Sequence, residues 1–278
     1  MVSADDATTN VASAALQAKY AELAGRLENS AFGKPLYLES IQASGELNAN
    51  VYALLAHPFR VVQSELNQPA RWCDILILHP NTKYCRADSA GARTLLNVNI
   101  GRKSDQPIEQ SYRVDFVYRI KKESTEYLAV VLHADKGPVG TRDYHLLLEA
   151  VPLRNGQTFL HLGYSYAYGT AAKLAMLAYL GTAGSSKVGF TITGRKRDGQ
   201  PIYVEGLRGV IERNTMRYYL AIEAYLDALS VPPPARFERR LADWYAATER
   251  YARQLHEISR SQYLELKRKE VERQQAAR

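Results

Sequence analysis

Three segments decide the fold of this chain: SYRVDFVYRI (111–120), DYHLLLE (143–149) and LHLGYSYAY (160–168). In each, aromatic and aliphatic residues alternate with polar ones, which is the period-two pattern of a strand with one buried face. The apolar faces carry many tyrosines, and every buried hydroxyl needs a hydrogen-bond partner that Leu, Ile or Val would not need. The pattern predicts a curved sheet with a partly polar inner wall that borders a ligand cavity. Ordinary core packing of aromatic residues, which strands favour in any case, is the alternative.

The length and composition of the chain set bounds on its function. With 278 residues, of which 46% are hydrophobic and 10% aromatic, the chain can form one large or two small globular domains. No uninterrupted apolar run is long enough to span a bilayer. A net charge of +7 favours acidic partners such as anionic lipids, nucleic acid or an acidic protein. Because the basic residues are dispersed along the chain, we expect no nucleic-acid binding.

The remaining periodicities predict the order of the other elements. Apolar residues at helical spacing predict a helix over 12–27, and period-two patterns predict strands over 36–42 and 47–55 with Ser44-Gly45 between them. A short helix follows His57-Pro58. Further along, the patterns predict a strand over 94–100, an apolar strand over 127–132, a helix over 171–180, a loop over 181–186 and a long helix over 207–229.

The C-terminal part of the chain has its own pattern. Pro232, Pro233 and Pro234 end the long helix and predict a stiff, extended spacer. Apolar residues then recur at spacings of four and three over 237–258, which predicts one continuous amphipathic helix. We expect its apolar face to contact a partner helix or an anionic membrane surface, and packing on its own domain is the alternative. The sequence KRKE (267–270) predicts frayed, solvated last turns.

The order of these elements resembles the START-like, or helix-grip (SRPBCC), superfamily of lipid carriers, polyketide aromatases and related proteins with hydrophobic ligands. The likeness rests on the strand VYALL (51–55) that leads through His57-Pro58-Phe59 into short helices, on the meander over 94–168, and on the long helix with RNTMRYYL (213–220). It implies an α+β helix-grip fold, in which a curved antiparallel sheet wraps around a long C-terminal helix, with an additional tail helix. The predicted domains are an N-terminal helix (1–35), a START-like ligand-binding domain (36–230) and the proline spacer with its tail helix (231–278).

The resemblance implies a cavity between the sheet and the long helix that takes a lipid-like molecule. The candidate ligand-binding residues lie on the inward strand faces and on the long helix: Tyr112, Phe116, Tyr118, Tyr144, Leu146, Leu148, Tyr164, Tyr166, Tyr168, Arg208 and Tyr218. Glu212 is a further candidate polar group. Since Arg208 and Glu212 are four residues apart, a simple ion pair on the solvent face of the helix is the alternative.

The two cysteines of the chain, Cys73 and Cys85, are too few for a structural zinc site and are a candidate disulfide pair. Two reduced thiols at unrelated positions are the alternative. The N-terminus shows no signal peptide, but its polar start, MVSADD (1–6), is typical of a mature exported protein. We therefore favour an exported, periplasmic location, with the cytoplasm as the alternative.

No catalytic motif is complete in the sequence. GYSYA (163–167) lacks the last glycine of a nucleophile elbow, and GTAGSSK (181–187) lacks the glycine that precedes the lysine of a phosphate-binding loop. The six histidines show no metal-ligand spacing, and we expect no metal and no cofactor. The sequence thus favours noncatalytic binding or transfer of a lipid-like hydrophobic or amphipathic molecule. The alternative is an enzyme of the polyketide cyclase/aromatase or hydrolase type, in which tyrosine hydroxyls and an acid such as Glu149 or Glu212 move protons.

Overall fold

The computed structural model describes residues 4–89, 93–181 and 187–276. The helices are α1 (Ala4–Glu28), α2 (Phe59–Leu66), α3 (Pro69–Leu76), α4 (Thr170–Gly181), α5 (Gly206–Asp227), α6 (Pro233–Glu249), α7 (Ala252–Leu255) and α8 (Arg260–Ala276). The strands are β1 (Leu36–Ala43), β2 (Glu46–Leu55), β3 (Thr82–Asp88), β4 (Thr94–Ile100), β5 (Tyr112–Ser124), β6 (Tyr127–Lys136), β7 (Thr141–Pro152), β8 (Thr158–Tyr168), β9 (Ile192–Arg195) and β10 (Pro201–Tyr203). Residues 182–186 lie outside the described residues. They make up most of the predicted loop over 181–186 and of the GTAGSSK segment.

Strands β1 to β8 form one curved antiparallel sheet in the order β1-β2-β8-β7-β6-β5-β4-β3. Strands β1 and β2 form a hairpin around the predicted Ser44-Gly45 turn, where Gly45 has a φ of +80° that glycine adopts without steric cost. The three tyrosine-bearing segments are confirmed as parts of β5, β7 and β8, and the apolar β6 pairs with both β5 and β7. Strand β3 and the short β9–β10 hairpin are additions to the predicted order.

Helix α5 lies against the concave face of this sheet. Its apolar residues Ile211, Leu220 and Ile222 are fully buried, and the helix contacts β1, β2 and β8. The sheet contributes alternate residues to the same core, among them Leu146, Leu148 and Leu162. Burying apolar surface contributes roughly 25 cal/mol per Å². Because this core is the larger of the two apolar clusters, it contributes most of the hydrophobic stabilisation. The predicted α+β architecture, with a curved sheet around a long helix, is confirmed.

The N-terminal helix α1 covers part of the opposite, convex face of the sheet. Leu16, Leu23 and Leu27, which recur at helical spacing, are buried in a separate small core. Their partners on the sheet include Tyr52 and Phe159. Both faces of the sheet are therefore covered by helices.

The prediction for the segment after the long helix is wrong in two respects. The prolines form no extended spacer, because Pro232 precedes α6 and Pro233 is its first residue, a position where the missing N–H costs nothing. The helix is also not continuous over 237–258, because α6 ends at Glu249 and Tyr251 adopts φ −120° and ψ 43° before the short α7.

The apolar face of α6 packs on the protein itself. Leu241 and Trp244 are buried in the main core, and α6 contacts α5. The indole N–H of Trp244 donates a hydrogen bond to the carbonyl of Arg217 at 3.2 Å. This arrangement is the intramolecular alternative of the sequence analysis. The described residues therefore give α6 no free apolar face, while a contact of the tail with a partner helix or membrane stays a prediction.

The last helix, α8, is ordered and half-buried where the sequence predicts frayed, solvated turns. The side chains of Lys267 and Glu270 are completely buried, together with that of Lys83 from β3. Glu270 accepts hydrogen bonds from Lys83 at 2.8 Å and from Lys267 at 2.7 Å. Lys267 also donates to the carbonyl of His79 at 2.7 Å. A charge run that looked solvated therefore holds α8 against the turn that precedes β3.

Cys73 on α3 and Cys85 on β3 form a disulfide in the structure, with Cα atoms 5.1 Å apart. Both side chains are buried in the main core. The bond joins α3 to the edge strand β3. These are the two elements that flank the turn containing His79. Across residues 4–89, 93–181 and 187–276, no helix combines the length and the apolar character that crossing a membrane requires.

Candidate ligand-binding cavity

A cavity of about 210 Å³ lies between the sheet and helix α5. Val210, Asn214 and Tyr218, at intervals of four residues, form the α5 wall. The other lining residues come from the turn before β3 and the start of β3, from β4, from the β6–β7 turn, from β7 and β8, and from α4: His79, Asn81, Thr82, Ile100, Pro138, Val139, Thr141, Tyr144, Tyr164, Tyr166 and Met176. The tyrosine-rich inner wall predicted from the strand pattern therefore borders open space.

The tyrosine rings of the cavity pack against one another. Tyr144 stacks on Tyr166 with ring centroids 5.1 Å apart, and Tyr164 meets Tyr218 edge-on at 5.2 Å. The hydroxyl of Tyr144 shares a 2.7 Å hydrogen bond with that of Thr141. Burial raises the pKa of Tyr144 to about 12, and burial together with neighbouring tyrosines raises the pKa of Tyr164, Tyr166 and Tyr218. All four hydroxyls are therefore neutral groups that can donate and accept hydrogen bonds.

His79 supplies the most distinctive polar atom of the cavity. Its ring is buried, and its Nδ1 accepts a hydrogen bond from the backbone N–H of Asn81 at 3.2 Å. Burial, followed by the positive charges of Arg217, Lys267 and Lys103, holds the pKa of His79 well below its usual value. The ring is therefore neutral, and because Nδ1 is an acceptor, Nε2 carries the proton.

The Nε2–H group of His79 has no hydrogen-bond partner among the described residues. Asn214 is close enough to His79 to raise the pKa of the ring slightly against the effect of burial, but its side chain does not form a hydrogen bond of acceptable geometry with Nε2. A buried donor without a partner costs roughly 1–3 kcal/mol, so a ligand oxygen at this position would stabilise the protein. In the sequence, His79 shares the absence of metal-ligand spacing with the other five histidines, and only its place in the turn LHPN (78–81), between a helix and a strand, distinguishes it.

The lining of the cavity carries no formal charge. None of its described lining residues is an aspartate, glutamate, lysine or arginine. Among the described lining residues, Thr82 and Thr141 carry aliphatic hydroxyl groups, and that of Thr141 already donates to the carbonyl of Pro138 at 2.5 Å. The cavity therefore suits a neutral, largely apolar part of a ligand that offers a hydrogen-bond acceptor.

A larger depression of about 600 Å³ lies elsewhere, between the segment Asp105–Pro107 and the end of α8. It is an open surface groove, and its Arg273 and Asp105 are paired at 2.8 Å. The smaller cavity beneath α5 is therefore the candidate ligand-binding site.

No protein-family model and no curated protein matches this chain. Among solved structures, the Zhui aromatase/cyclase from Streptomyces sp. R1128 is similar with a TM-score of 0.34 and 11% identity, over 75% of this chain and 94% of that protein. Human StAR-related lipid transfer protein 5 gives a TM-score of 0.31 and 7% identity, over 88% and 98% of the two chains. A conserved protein from Geobacillus kaustophilus gives 0.33 and 15%, over 50% and 86%. Likenesses of this strength identify neither a ligand nor an activity.

The topology itself decides the type of fold. Strands β1 and β2 are followed by two short helices and a long meander, and α5 then returns across the concave face. The fold is of the helix-grip type, in which a curved antiparallel sheet wraps around one long helix. In this helix-grip fold the cavity lies between the gripped helix α5 and the sheet.

The helix-grip fold brings four of the predicted site residues together at the cavity: Tyr144, Tyr164, Tyr166 and Tyr218. Phe116 packs edge-on behind Tyr144, with centroids 6.3 Å apart. The remaining predicted residues lie outside the lining: Tyr112, which is 41% exposed, Tyr118, Leu146, Leu148, Tyr168 and Arg208. Their contact with a ligand stays a prediction.

The two carboxylates considered as proton-transfer groups do not line the cavity. Glu212 is completely buried and accepts hydrogen bonds from Ser40, from Thr191, and from the backbone N–H of Phe190. The solvent-face pairing with Arg208 is therefore wrong, because Glu212 faces the protein interior and holds the segment 190–191 against α5. Arg208 donates to Ser40 at 2.7 Å and reaches Glu212 only at 4.0 Å.

Glu149 lies on the opposite, convex face of β7. It accepts a hydrogen bond from Tyr127 and contacts Nδ1 of His161 at 2.7 Å. Burial acts to raise the pKa of Glu149, but these two hydrogen bonds hold the pKa below its usual value. Glu149 is therefore an ionised acceptor in a polar network beneath α1, on the face of the sheet that α5 does not cover.

Proposed function

We propose that this protein binds a small apolar or amphipathic molecule, without chemical conversion, in the cavity between the sheet and α5. The unpartnered Nε2–H of His79, buried in a neutral, tyrosine-lined cavity, carries the proposal. Such a donor is unfavourable when it has no partner and favourable when a ligand carbonyl, hydroxyl or ester oxygen accepts a hydrogen bond from it. The aromatic rings supply the apolar contact for the rest of the ligand.

The groups around the cavity favour binding over catalysis. Proton transfer needs a group whose pKa lies near the working pH, whereas the pKa of His79 is held low and those of the four tyrosines are held high. The two carboxylates that a cyclase or hydrolase mechanism would use, Glu149 and Glu212, are engaged elsewhere in the fold. These observations support a protein that carries or senses its ligand without converting it.

The size of the cavity limits what it holds. At about 210 Å³ it is below the roughly 300–1,000 Å³ of ordinary ligand pockets. A short acyl chain or a single ring system fits this volume, and a longer ligand would extend beyond it.

Binding of decanol, a neutral amphiphile with one oxygen, tests the proposal. We expect saturable one-to-one binding in titration calorimetry. Val210→Phe, which places a ring in the cavity from the α5 wall, should abolish it. Val61→Phe is the matched control, because Val61 is an exposed residue of α2, and it should bind decanol as the unaltered protein does. Absence of saturable binding to the folded, unaltered protein, or equal binding by Val210→Phe, would overturn the proposal.

A further inference from the structure

Two histidines form a close pair on the convex face of the sheet. His133 on β6 and His145 on β7 are direct partners in the antiparallel register, and their ring centroids are 4.3 Å apart. Nδ1 of His133 and Nε2 of His145 face each other at 3.1 Å. The two residues are 12 positions apart in sequence, a spacing that matches no metal-ligand motif, and only the pairing of β6 with β7 brings them together. We refer to them as the histidine pair.

The histidine pair lies beyond the part of the convex face that α1 covers. The sheet residues that pack in the small core under α1 include Ala129 of β6 and Val151 of β7. His133 and His145 are on the same face, nearer the β6–β7 turn, because residues an even number of positions apart in a strand point to the same side. His145 is exposed, and the side chain of His133 is 32% exposed. Dissolved ions can therefore reach both rings.

A carboxylate sets the orientation of the first ring. Oδ1 of Asp135 lies 2.9 Å from Nε2 of His133. Because a carboxylate oxygen accepts hydrogen bonds, Nε2 of His133 carries a proton and donates. In the neutral ring, Nδ1 then presents its lone pair toward His145. A histidine that donates one ring N–H to a carboxylate and directs the other nitrogen at an ion is the usual arrangement of histidine ligands in metal sites.

The charges near the second ring favour a cation. Burial and the neighbouring His133 hold the pKa of His145 below its usual value, so the ring is neutral at pH 7. The negative charges of Asp143 and Glu46 act on His145 in the opposite direction, because they stabilise positive charge at this position. Arg142 pairs with Asp143 at 3.5 Å. With the carboxylate behind the first ring, three acidic groups and one arginine lie near the pair.

The separation of the two nitrogens suits ligation of a single ion. Imidazole nitrogens bind Zn²⁺ at about 2.0–2.1 Å, so two of them lie about 3.3 Å apart at a tetrahedral angle and about 2.9 Å apart at a right angle. The 3.1 Å between Nδ1 of His133 and Nε2 of His145 falls between these values. An ion that binds here replaces the proton that the two nitrogens share, and this proton leaves to solvent. Only small side-chain adjustments are needed.

We propose that the histidine pair binds one divalent transition-metal ion of the Zn²⁺ or Cu²⁺ class, with Nδ1 of His133 and Nε2 of His145 as its protein ligands. Imidazole nitrogens are favoured ligands of these ions. Among the residues that the structure describes, no group of three or more histidine, cysteine or acidic side chains is placed to hold a metal, so water completes the coordination. The site lies on the face of the sheet opposite the cavity, and it is independent of the proposed function.

Calorimetric titration of the untagged protein with Zn²⁺ tests the site. We expect saturable one-to-one binding, which His133→Gln and His145→Gln should each abolish. His57→Gln/His256→Gln is the matched control and should bind Zn²⁺ as the unaltered protein does, because each of these histidines contacts a carboxylate of its own and not another histidine. Asp135→Ala keeps both ligands and removes the carboxylate that orients one of them, so it should weaken binding about tenfold.

Electron paramagnetic resonance of the protein with Cu²⁺ gives an independent measurement. Coupling of the copper to two imidazole nitrogens, reduced to one or none in either single variant, supports the shared site. Urea unfolding without metal should give both variants the stability of the unaltered protein, since the histidine pair is at the surface, so lost binding reports the ligands themselves. Absence of saturable Zn²⁺ binding to the unaltered protein overturns the inference. Equal binding by the unaltered protein and both single variants shows an adventitious ion only and also overturns it.

Discussion

The backbone N–H of Asn81 donates a hydrogen bond to Nδ1 of His79, and this contact fixes the proton of the ring on Nε2. The donor then lies in the cavity lining without a partner among the described residues. Lys267 of α8 binds the carbonyl of the same histidine, and the Cys73–Cys85 disulfide joins the two elements on either side of it. Elements distant in sequence therefore hold one hydrogen-bond donor in place.

Substitution His79→Asn removes the Nε2–H donor and keeps an acceptor for the backbone N–H of Asn81. The asparagine Oδ1 can replace Nδ1 as acceptor for the Asn81 N–H, but nothing replaces Nε2–H. Because a hydrogen bond contributes a net of about 1 kcal/mol, we expect decanol affinity to fall about fivefold in calorimetric titration. His133→Asn, on the outer face of β6, is the matched control and should bind normally. Unchanged affinity of His79→Asn would show that Nε2 does not contact the ligand.

The low pKa of His79 predicts how stability depends on pH. As pH falls below about 6.5, the unfolded chain binds a proton at this histidine and the native ring does not. The native state therefore binds fewer protons, and the free energy of unfolding falls by up to about 1.4 kcal/mol per pH unit from this group. Urea unfolding between about pH 7 and pH 5 should show a smaller loss in His79→Asn than in the unaltered protein. Equal losses would mean that the native ring is protonated as readily as the unfolded one.

Sequence periodicity predicts the strands and the long helix because each has one buried face. In β7, Tyr144, Leu146 and Leu148 face the core and satisfy period two, and the same rule applies in β5 and β8. Helix α5, which crosses the concave face, can also be predicted from the sequence, because its apolar stripe is continuous over 207–229.

The same rules fail where burial depends on partners distant in sequence. Lys267 and Glu270 look like solvated charges, but Glu270 has a buried partner in Lys83, 187 residues away, and Lys267 donates to the carbonyl of His79. His79 has no periodic or motif signal, because its role depends on the turn that orients it and on helix α5 opposite. Tyr112 has the correct period for the inner face but lies at the beginning of β5, where the sheet is open to solvent.

The disulfide between Cys73 and Cys85 should stabilise the turn before β3. Closing a loop with a sequence separation of 12 stabilises a protein by about 3 kcal/mol in the chain-entropy account. Cys73→Ala/Cys85→Ala should lower the free energy of unfolding by that amount, measured by urea denaturation without reductant. Reductant should lower the stability of the unaltered protein to a similar degree and leave the double variant unchanged. Thiol titration of the denatured, unreduced protein that finds two free thiols would contradict the bond.

The buried charges of α8 should contribute far more to stability than its exposed ones. Glu270→Gln leaves Lys83 and Lys267 as two buried ammonium groups without a carboxylate, and breaking a buried pair of this kind costs about 3–5 kcal/mol. The pKa of Lys267, held near 8 by burial against the attraction of Glu270, should fall further in this variant, because the carboxylate that favours its charge is absent.

Glu265→Gln on the same helix is the matched control. Glu265 pairs with Lys269 at 2.8 Å, but both side chains are exposed, so its loss should cost less than about 1 kcal/mol. Urea unfolding of the two variants measures the difference, and decanol titration of Glu270→Gln shows whether a loosened α8 also disturbs the His79 turn. If both variants lose the same small amount of stability, Glu270 does not hold α8 through a buried ion pair. The last helix would then be held by its other contacts, among them those of the buried side chains of Tyr263 and Leu266.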